Sequence, residues 1–531
     1  MKKITLPLAA MFWVNVYSQI QFQQVYHKDS LMLNVTSVEM TYDHGYMMAG
    51  TVSDYQLFGG GPGDIFMLRT DSTGNMLWSR RWNLGNDESV FSVLATPDSC
   101  FIVTGFTFGS TTLSRDGFIL KADDSGNIVW AQRTDHNGSS NTFHSVRQTE
   151  EKLIFSGRSA GGTGGQYDMY MCLTDASGNI LWGRTYGGSN WDWGWHADQT
   201  SDGGFIMTGE SQSFLLGSND IYFVKTDNFG NRIWFKVYGG PDFEKGLWTK
   251  EVNGSYFIAG YTQGFVTGNS DAKTFLMKTD TSGNILWFKI YAEMGTPGDV
   301  YPTADGGFLL IGGSYNIPVS FGTWDMYLIK VDSAGSVQWS RNYGGSNTES
   351  GTSLRVVPDG FLFGGTTYSF SAGAYPQIYL VKTDTAAVSG CNEVSHTATV
   401  YNVMPTTITP QDSVSSGFTS FTPTYTTVLP TLLRTVLCYA PIITETSPMT
   451  AEDNSLYIFP NPATNQLAIC NGQYAIESVE IYNVLGEKVW SNAEIFQSNV
   501  ETINVSALSS GIYFVKVRGE KGGRVAKFVK Q

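Results

Sequence analysis

The densest concentration of side chains able to do chemistry is GSNWDWGWH at 188–196, which sets Trp191, Asp192, Trp193 and Trp195 almost side by side. Indole rings beside a carboxylate suit stacking on sugar rings together with hydrogen bonds to sugar hydroxyls. Asp192 has counterparts in Glu88, Glu244 and Glu349, each six residues after an aromatic that closes an apolar run. Two such acids about 5–10 Å apart would make a glycan-cleaving pair. The plainer reading is that the indoles plug a crossover and the acids cap turns. A further series, Asp64, Asp116, Asp168, Asp220 and Asp325, is completed by Lys273 and Gln377 in the remaining repeats. It suits strand starts, because no DxDxDG-like calcium run accompanies it. The six histidines carry no HExxH spacing, no GxSxG stands in a strand–turn–helix setting, and no glycine-rich loop opens a helix. No metal, cofactor or catalytic constellation is therefore expected.

Those residues must be held by strands. The stretch 221–240, IYFVKTDNFGNRIWFKVYGG, reads as two apolar strands around a tight Asp-x-x-Gly-Asn turn. Its turn aspartate recurs as Asp71, Asp123, Asp175, Asp227, Asp280 and Asp332, and its tryptophan as Trp78, Trp130, Trp182, Trp234, Trp287 and Trp339. Both series step by 52, 52, 52, 53 and 52 residues, the mark of one repeated supersecondary unit. A second hairpin precedes each, so the repeat is a four-stranded meander: A (196–200), B (205–210), C (220–227) and D (232–238). Strand C is apolar at nearly every position, which requires burial on both faces and hence stacking of neighbouring sheets. The recurring tryptophan is expected between those sheets.

A seventh unit follows but is incomplete. Asp384 lies 52 after Asp332, yet Cys391 stands where tryptophan is due and no strand D follows. An orphan strand at 22–26, FQQVY, matches the register of WFKVY at 234–238. The start of the chain should therefore complete the last sheet and close a ring. An open β-solenoid is the runner-up, disfavoured by that displaced strand. The expected architecture is all-β: a seven-bladed β-propeller of four-stranded blades over 19–388, closed by an N-terminal outer strand. A Thr/Ser/Pro-rich linker at 389–455 and a small C-terminal β-sandwich at 456–531 complete the chain.

Composition agrees with this and narrows the partners. Of 531 residues only 15% are charged, while 59 are glycine and 14% aromatic, as turn-rich sheets demand. A net charge of −14 argues against nucleic acid. Residues 1–18 have the form of a signal peptide, with Lys2 and Lys3 before an apolar run at 4–16 and with Val16 and Ser18 suiting cleavage before Gln19. No later stretch is long and apolar enough to span a bilayer. Among five cysteines, Cys391 and Cys438 flank the linker and are expected to pair, whereas Cys100 and Cys172 read as small buried apolar residues.

With its pattern KTDxxGNxxWxKxYGG…TxDGGFxxxG, the repeat region resembles seven-bladed propellers of exported Bacteroidetes-type proteins. The turn DNFGNRIW resembles the Asp-box of sialidase propellers with one extra residue, which carries over the turn's structural role alone; the Arg-Ile-Pro signature of sialidases is missing. The final segment, with YIFPNPATNQLAI, VEIYNVLGEKVW, INVSALSSGIYFVKV and the ending KFVKQ, closely resembles the type A C-terminal sorting domain of the type IX secretion system. That resemblance implies passage through the periplasm to the outer-membrane cell surface or the medium, with the type IX machinery as partner. It also places recognition at the Ser510–Gly511 turn and the terminal strand, Lys527, Phe528, Val529 and Lys530. The leading functional expectation is a non-enzymatic binding or adhesion protein for a surface glycan or protein. A glycan-acting hydrolase or lyase and a structural spacer are the alternatives.

Overall fold

The computed structural model describes residues 20–441 and 457–530, apart from 29, 55–61, 86, 109–113, 136–138, 162–165, 266–270, 316–321, 371–374, 397, 410–412, 416–418, 422–425, 429–432, 460–462, 464, 471–475, 484–486, 493–499 and 520–521. The signal-like residues 1–18 lie outside this set, as do parts of the loops expected at 51–63, 158–167 and 314–324. The chain is all-β, with no helix among the described residues, and divides into the units Gln19–Ala440 and Pro441–Gln531.

The first unit is a propeller-like series of antiparallel meanders. The fourth sheet is typical: Asp192–Gln199 pairs with Phe205–Ser211, then Asp220–Thr226, then Arg232–Gly239. Its third strand is buried at every residue, as the unbroken apolar run requires. Each Asp-x-x-Gly-Asn turn is tied by its aspartate; Asp227 Oδ1 accepts the backbone N–H groups of Phe229 (2.9 Å) and Asn231 (2.8 Å). Gly230 sits at φ +76° in that turn, and a Cβ there would meet Trp182 of the preceding sheet at 2.9 Å. The recurrent indoles thus do lie between sheets. They are half-buried, since the indole N–H still reaches a carbonyl of the next turn, as Trp182 does to Asn228 at 3.2 Å. Tyrosine hydroxyls make the same step: Tyr186 donates to the Gly230 carbonyl (2.6 Å) and Tyr238 to that of Gly283 (2.7 Å).

The expected pairing of the chain's start is present. Ile20–His27 lies antiparallel to Gln377–Thr383, with Phe22 opposite Lys382 and Tyr26 opposite Ile378. Phe22, Val25 and Tyr26 are fully buried there. Tyr26 donates to the Gly74 carbonyl of the first sheet at 2.6 Å, repeating the Tyr186–Gly230 link across the junction of last and first sheets. Thr352, in the inner strand of the seventh sheet, donates to the Val35 carbonyl of the first at 2.9 Å.

Residues 393–441 depart from the loose linker that their composition suggests. They form seven short strands, and each adds a fifth strand to the outer edge of one sheet. Glu393–His396 joins the sixth sheet and Val400–Val403 the fifth. Thr406–Ile408, Ser413–Ser415, Thr419–Phe421 and Thr426–Val428 follow on the fourth, third, second and first, and Leu433–Pro441 on the seventh. The chain therefore runs back past every sheet as a belt. Cys391 and Cys438 are bonded, with Cα atoms 6.0 Å apart, and close the belt on itself. The physical cause is the outer edge of each sheet, a row of free N–H and C=O groups that threonine-rich strands satisfy. Of the other cysteines, Cys172 is buried as expected, whereas Cys100 is half-exposed.

The second unit has its own core. A three-stranded sheet (Tyr457–Phe459, Gln466–Cys470, Val500–Asn504) and a four-stranded sheet (Lys488–Asn492, Ile476–Asn483, Gly511–Gly519, Gly522–Lys530) share Leu467, Ile469, Ile481, Val515, Val517 and Phe528.

Candidate functional site

The four acids singled out on the crossovers are buried, and each braces its own turn. Glu88, Asp192, Glu244 and Glu349 begin the inner strands of the second, fourth, fifth and seventh sheets, all at 1% exposure or less. Each accepts from a hydroxyl near the end of the adjacent strand: Thr107 (2.7 Å), Ser213 (2.7 Å), Thr262 (2.8 Å) and Thr367 (2.7 Å) respectively. Gly188, Gly240 and Gly345 donate their N–H groups to Asp192, Glu244 and Glu349. The carboxylates thus sit apart in four sheets, tied inward, and neither converge on one pocket nor form a solvated ring. Each of the four is held by its own crossover, which folds back over the carboxylate.

The strand-start series faces these acids. Asp64 pairs with Arg81 and Asp116 with Arg133, while Asp220 accepts from the Leu216 N–H at 2.6 Å. Asp168 finds no hydrogen-bond partner for either oxygen among the described residues, although it is 1% exposed. Burial, with the nearby Asp192 charge added, raises its pKa to about 7. Raised in the native state from an ordinary 3.8, this group binds more protons folded than unfolded between those values, so stability falls as pH rises through that window. Burial opposes ionisation of Asp123, Asp175, Asp227 and Asp280, but the several hydrogen bonds of each turn together outweigh it and lower their pKa values, and their contribution is lost on acidification. Stability in urea should therefore peak near pH 4–5 and drop by about 2–4 kcal/mol by pH 8. Asp168→Asn is expected to shrink the alkaline fall without abolishing it, because burial raises Glu88 to about 7 as well; an unchanged fall would show that Asp168 is not among the raised acids.

The residues that do converge come from the inner strands. All seven carry a β-bulge at one position, and the extra residues are Thr36, Phe91, His144, Trp195, Leu247, Gly298 and Thr352. All seven line one cavity of about 380 Å³, so each bulge turns one more side chain toward a shared centre. His144 stacks on Trp195 with centroids 4.2 Å apart, and Phe91 meets His144 edge to face at 4.8 Å. His144 donates from Nδ1 to the Gly194 carbonyl (2.6 Å), and burial, reinforced by the Arg158 charge, lowers its pKa to about 3.

The tryptophan cluster leads outward from this cavity. Lys245 Nζ lies 3.9 Å from the Trp195 ring centre and pairs with Glu210 at 2.9 Å. Trp193 is covered by the Arg158 guanidinium at 4.0 Å, and Trp191 stacks on Trp193 with centroids 5.6 Å apart. Trp191 is 36% exposed and Trp193 and Trp195 are half-buried, so the cluster is no buried plug. Three residues beyond the bulge a second ring includes Glu39, Arg147, Asp198, Lys250 and Arg355, of which Arg147 and Arg355 line the cavity. Phe91, His144 and both arginines carry no sequence signal because neither position keeps one residue type through the repeats: threonine stands at two of the seven bulges and arginine at two of the seven positions three residues on. The available signal was positional: each bulge residue in the acid-bearing sheets lies three residues after its acid.

In the second unit Ser510 and Lys527 are exposed, Gly511 and Val529 half-buried, Lys530 nearly buried and Phe528 wholly so. No group of three or more metal-ligating side chains occurs among the described residues, and no described helix is long and apolar enough to cross a membrane.

Residues 457–531 match the protein family described as the secretion system C-terminal sorting domain. The chain thus carries a Bacteroidetes-type tail that marks it for type IX secretion, released or held at the cell surface. Comparison with curated proteins finds no match. Among solved structures, a Bacteroides caccae protein of unknown function is 11% identical, spanning 52% of this chain and 89% of its own, with a TM-score of 0.30. The phage phi92 endosialidase is 10% identical over 85% of each chain, with a TM-score of 0.34. A Bombyx mori β-fructofuranosidase in complex with sucrose is 10% identical over 72% of this chain and 93% of its own, with a TM-score of 0.29. At these values the likenesses bear on neither site nor ligand.

Proposed function

We propose that residues 20–441 form a closed seven-bladed β-propeller that binds a glycan outside the cell, delivered there by the sorting tail at 457–531. Closure is supported by the Tyr26–Gly74 and Thr352–Val35 links between last and first sheets. The observation that carries the binding role is the aromatic path from the central cavity to solvent, Trp195, Trp193 and Trp191, flanked by Lys245 and Arg158. Indole faces hold the apolar face of a sugar ring, while the flanking cations and hydroxyls fix its orientation. The Ser510–Gly511 turn and the strand ending Lys527–Lys530 are the parts of the tail read by the export machinery.

Glycan-array screening of the full mature chain tests this. Binding of at least one glycan class is expected, with about tenfold weaker affinity in a folded Trp195→Ala variant. Absence of binding across the array, or a Trp195→Ala variant that binds as the parent does, would remove the assignment.

A further inference from the structure

We propose that the central cavity selects an acidic sugar, a uronate whose carboxylate is held by Arg147 with His196 as a second donor. The inference rests on the glycan-binding reading above and names the chemistry that reading leaves open. Every other cation around the cavity has an internal counter-ion. Arg355 bridges Glu39 (2.6 Å) and Asp299 (2.8 Å), Lys250 meets Asp198 (2.6 Å), and Lys245 meets Glu210 (2.9 Å). Arg147 has no ion pair with a described residue. The hydrogen bond it makes is to the carbonyl of its neighbour Val146, at 2.8 Å. A guanidinium in that position keeps its charge and a fork of N–H donors matched to a carboxylate. Burial, joined by repulsion from Arg355, weakens its hold on the proton more than the nearby carboxylates of Asp299, Asp198 and Glu39 strengthen it, and an anion held by the guanidinium itself would offset the remainder.

A second, independent donor stands beside it. His196 lines the same cavity and is 5% exposed; its Nδ1 accepts the Thr249 N–H at 3.4 Å, which leaves the proton on Nε2. That Nε2 finds no hydrogen-bond partner among the described residues. Burial and the Arg147 charge together keep the imidazole neutral, so it offers one N–H and no charge of its own. Arg147 is half-exposed on the cavity, so its remaining N–H groups are open to a ligand, and a carboxylate supplies the acceptor. The walls argue for a sugar over a bare anion: Phe91, Trp195 and Trp248 are among the lining residues, and a volume of about 380 Å³ is far more than a small inorganic ion fills.

Titration calorimetry on the full mature chain, comparing galacturonate and glucuronate trisaccharides with their carboxyl-reduced neutral counterparts, tests this without any variant. The uronates are expected to bind at least tenfold tighter. In an Arg147→Gln variant with parental near-UV circular dichroism that preference should disappear while neutral-sugar affinity is kept. Equal affinity for charged and neutral trisaccharides overturns the inference and leaves the glycan reading standing. Competition by acetate or phosphate as effective as the trisaccharide also overturns it, since the site would then take any small anion. Failure of every sugar to bind brings down the glycan reading, and the inference with it.

Discussion

A chain lacking residues 391–441, with Gly390 joined to residue 442, is expected to aggregate instead of yielding a soluble fold. Its belt supplies the outermost strand of all seven sheets, so its removal bares seven edges of free N–H and C=O groups at once. It also strips packing, because Ala398, Val400, Val403, Ile408 and Leu437 lie against the cores of the sheets they cover. At roughly 1 kcal/mol for each half-buried apolar side chain, these contacts alone approach the whole stability of an ordinary domain. The disulfide adds to this: closing a loop with a sequence separation of 47 restricts the unfolded chain by about 4 kcal/mol. A graded arm separates the two contributions. The Cys391→Ser/Cys438→Ser double variant should keep its pairing and solubility, yet unfold with about 3–4 kcal/mol less stability in urea. Light scattering reads the first outcome and denaturant titration the second. A soluble, normally stable chain without 391–441 would show the belt to be dispensable.

How this region escaped sequence reading follows from its physics. A strand in the repeats announces itself through a continuous apolar run such as IYFVK, buried on both faces, recurring every 52 or 53 residues. Belt strands are three or four residues long over most of their course, below any length at which alternation is visible, and they inherit their register from the strands they join. Threonine and serine satisfy an edge and a loose linker equally well, so composition alone selected the wrong state. The orphan strand at 22–26 was legible for the opposite reason: it copies the aromatic spacing of 234–238, and Tyr26 repeats the role of Tyr238 atom for atom.

The candidate site divides along the same line. Acids that recur, Glu88, Asp192, Glu244 and Glu349, attracted attention as a set, yet recurrence at equivalent positions is what a scaffold needs, and each proves to brace a turn. Function is more readily carried where the scaffold fixes a position and leaves the residue free. The bulge is such a position: it places Thr36, Phe91, His144, Trp195, Leu247, Gly298 and Thr352 around one cavity with no single residue type kept through the set. Trp195 is legible in sequence because it stands in a visible cluster, whereas Arg147 is not, since its importance lies in having no ion pair with a described residue.

Deleting residues 457–531 is expected to stop export outright while leaving the rest of the protein folded. The two halves of that statement have separate physical grounds. Folding should survive because the two units have separate cores: Leu467, Ile481, Val515 and Phe528 pack with one another in the tail, and every sheet of the first unit is complete by Pro441. Stability of the truncated chain in urea should thus match the parent within about 0.5 kcal/mol. Export should fail because the sorting domain is the part that marks the chain for type IX passage, and no strand of the first unit can stand in for it. Fractionated cells expressing the truncated chain should then hold a soluble, protease-resistant product in the periplasm and none at the surface or in the medium. Circular dichroism of that periplasmic product separates a sorting defect from a folding defect: a native spectrum with no surface protein assigns the loss to recognition. Surface delivery equal to that of the full chain would mean that the tail is not what the export machinery reads.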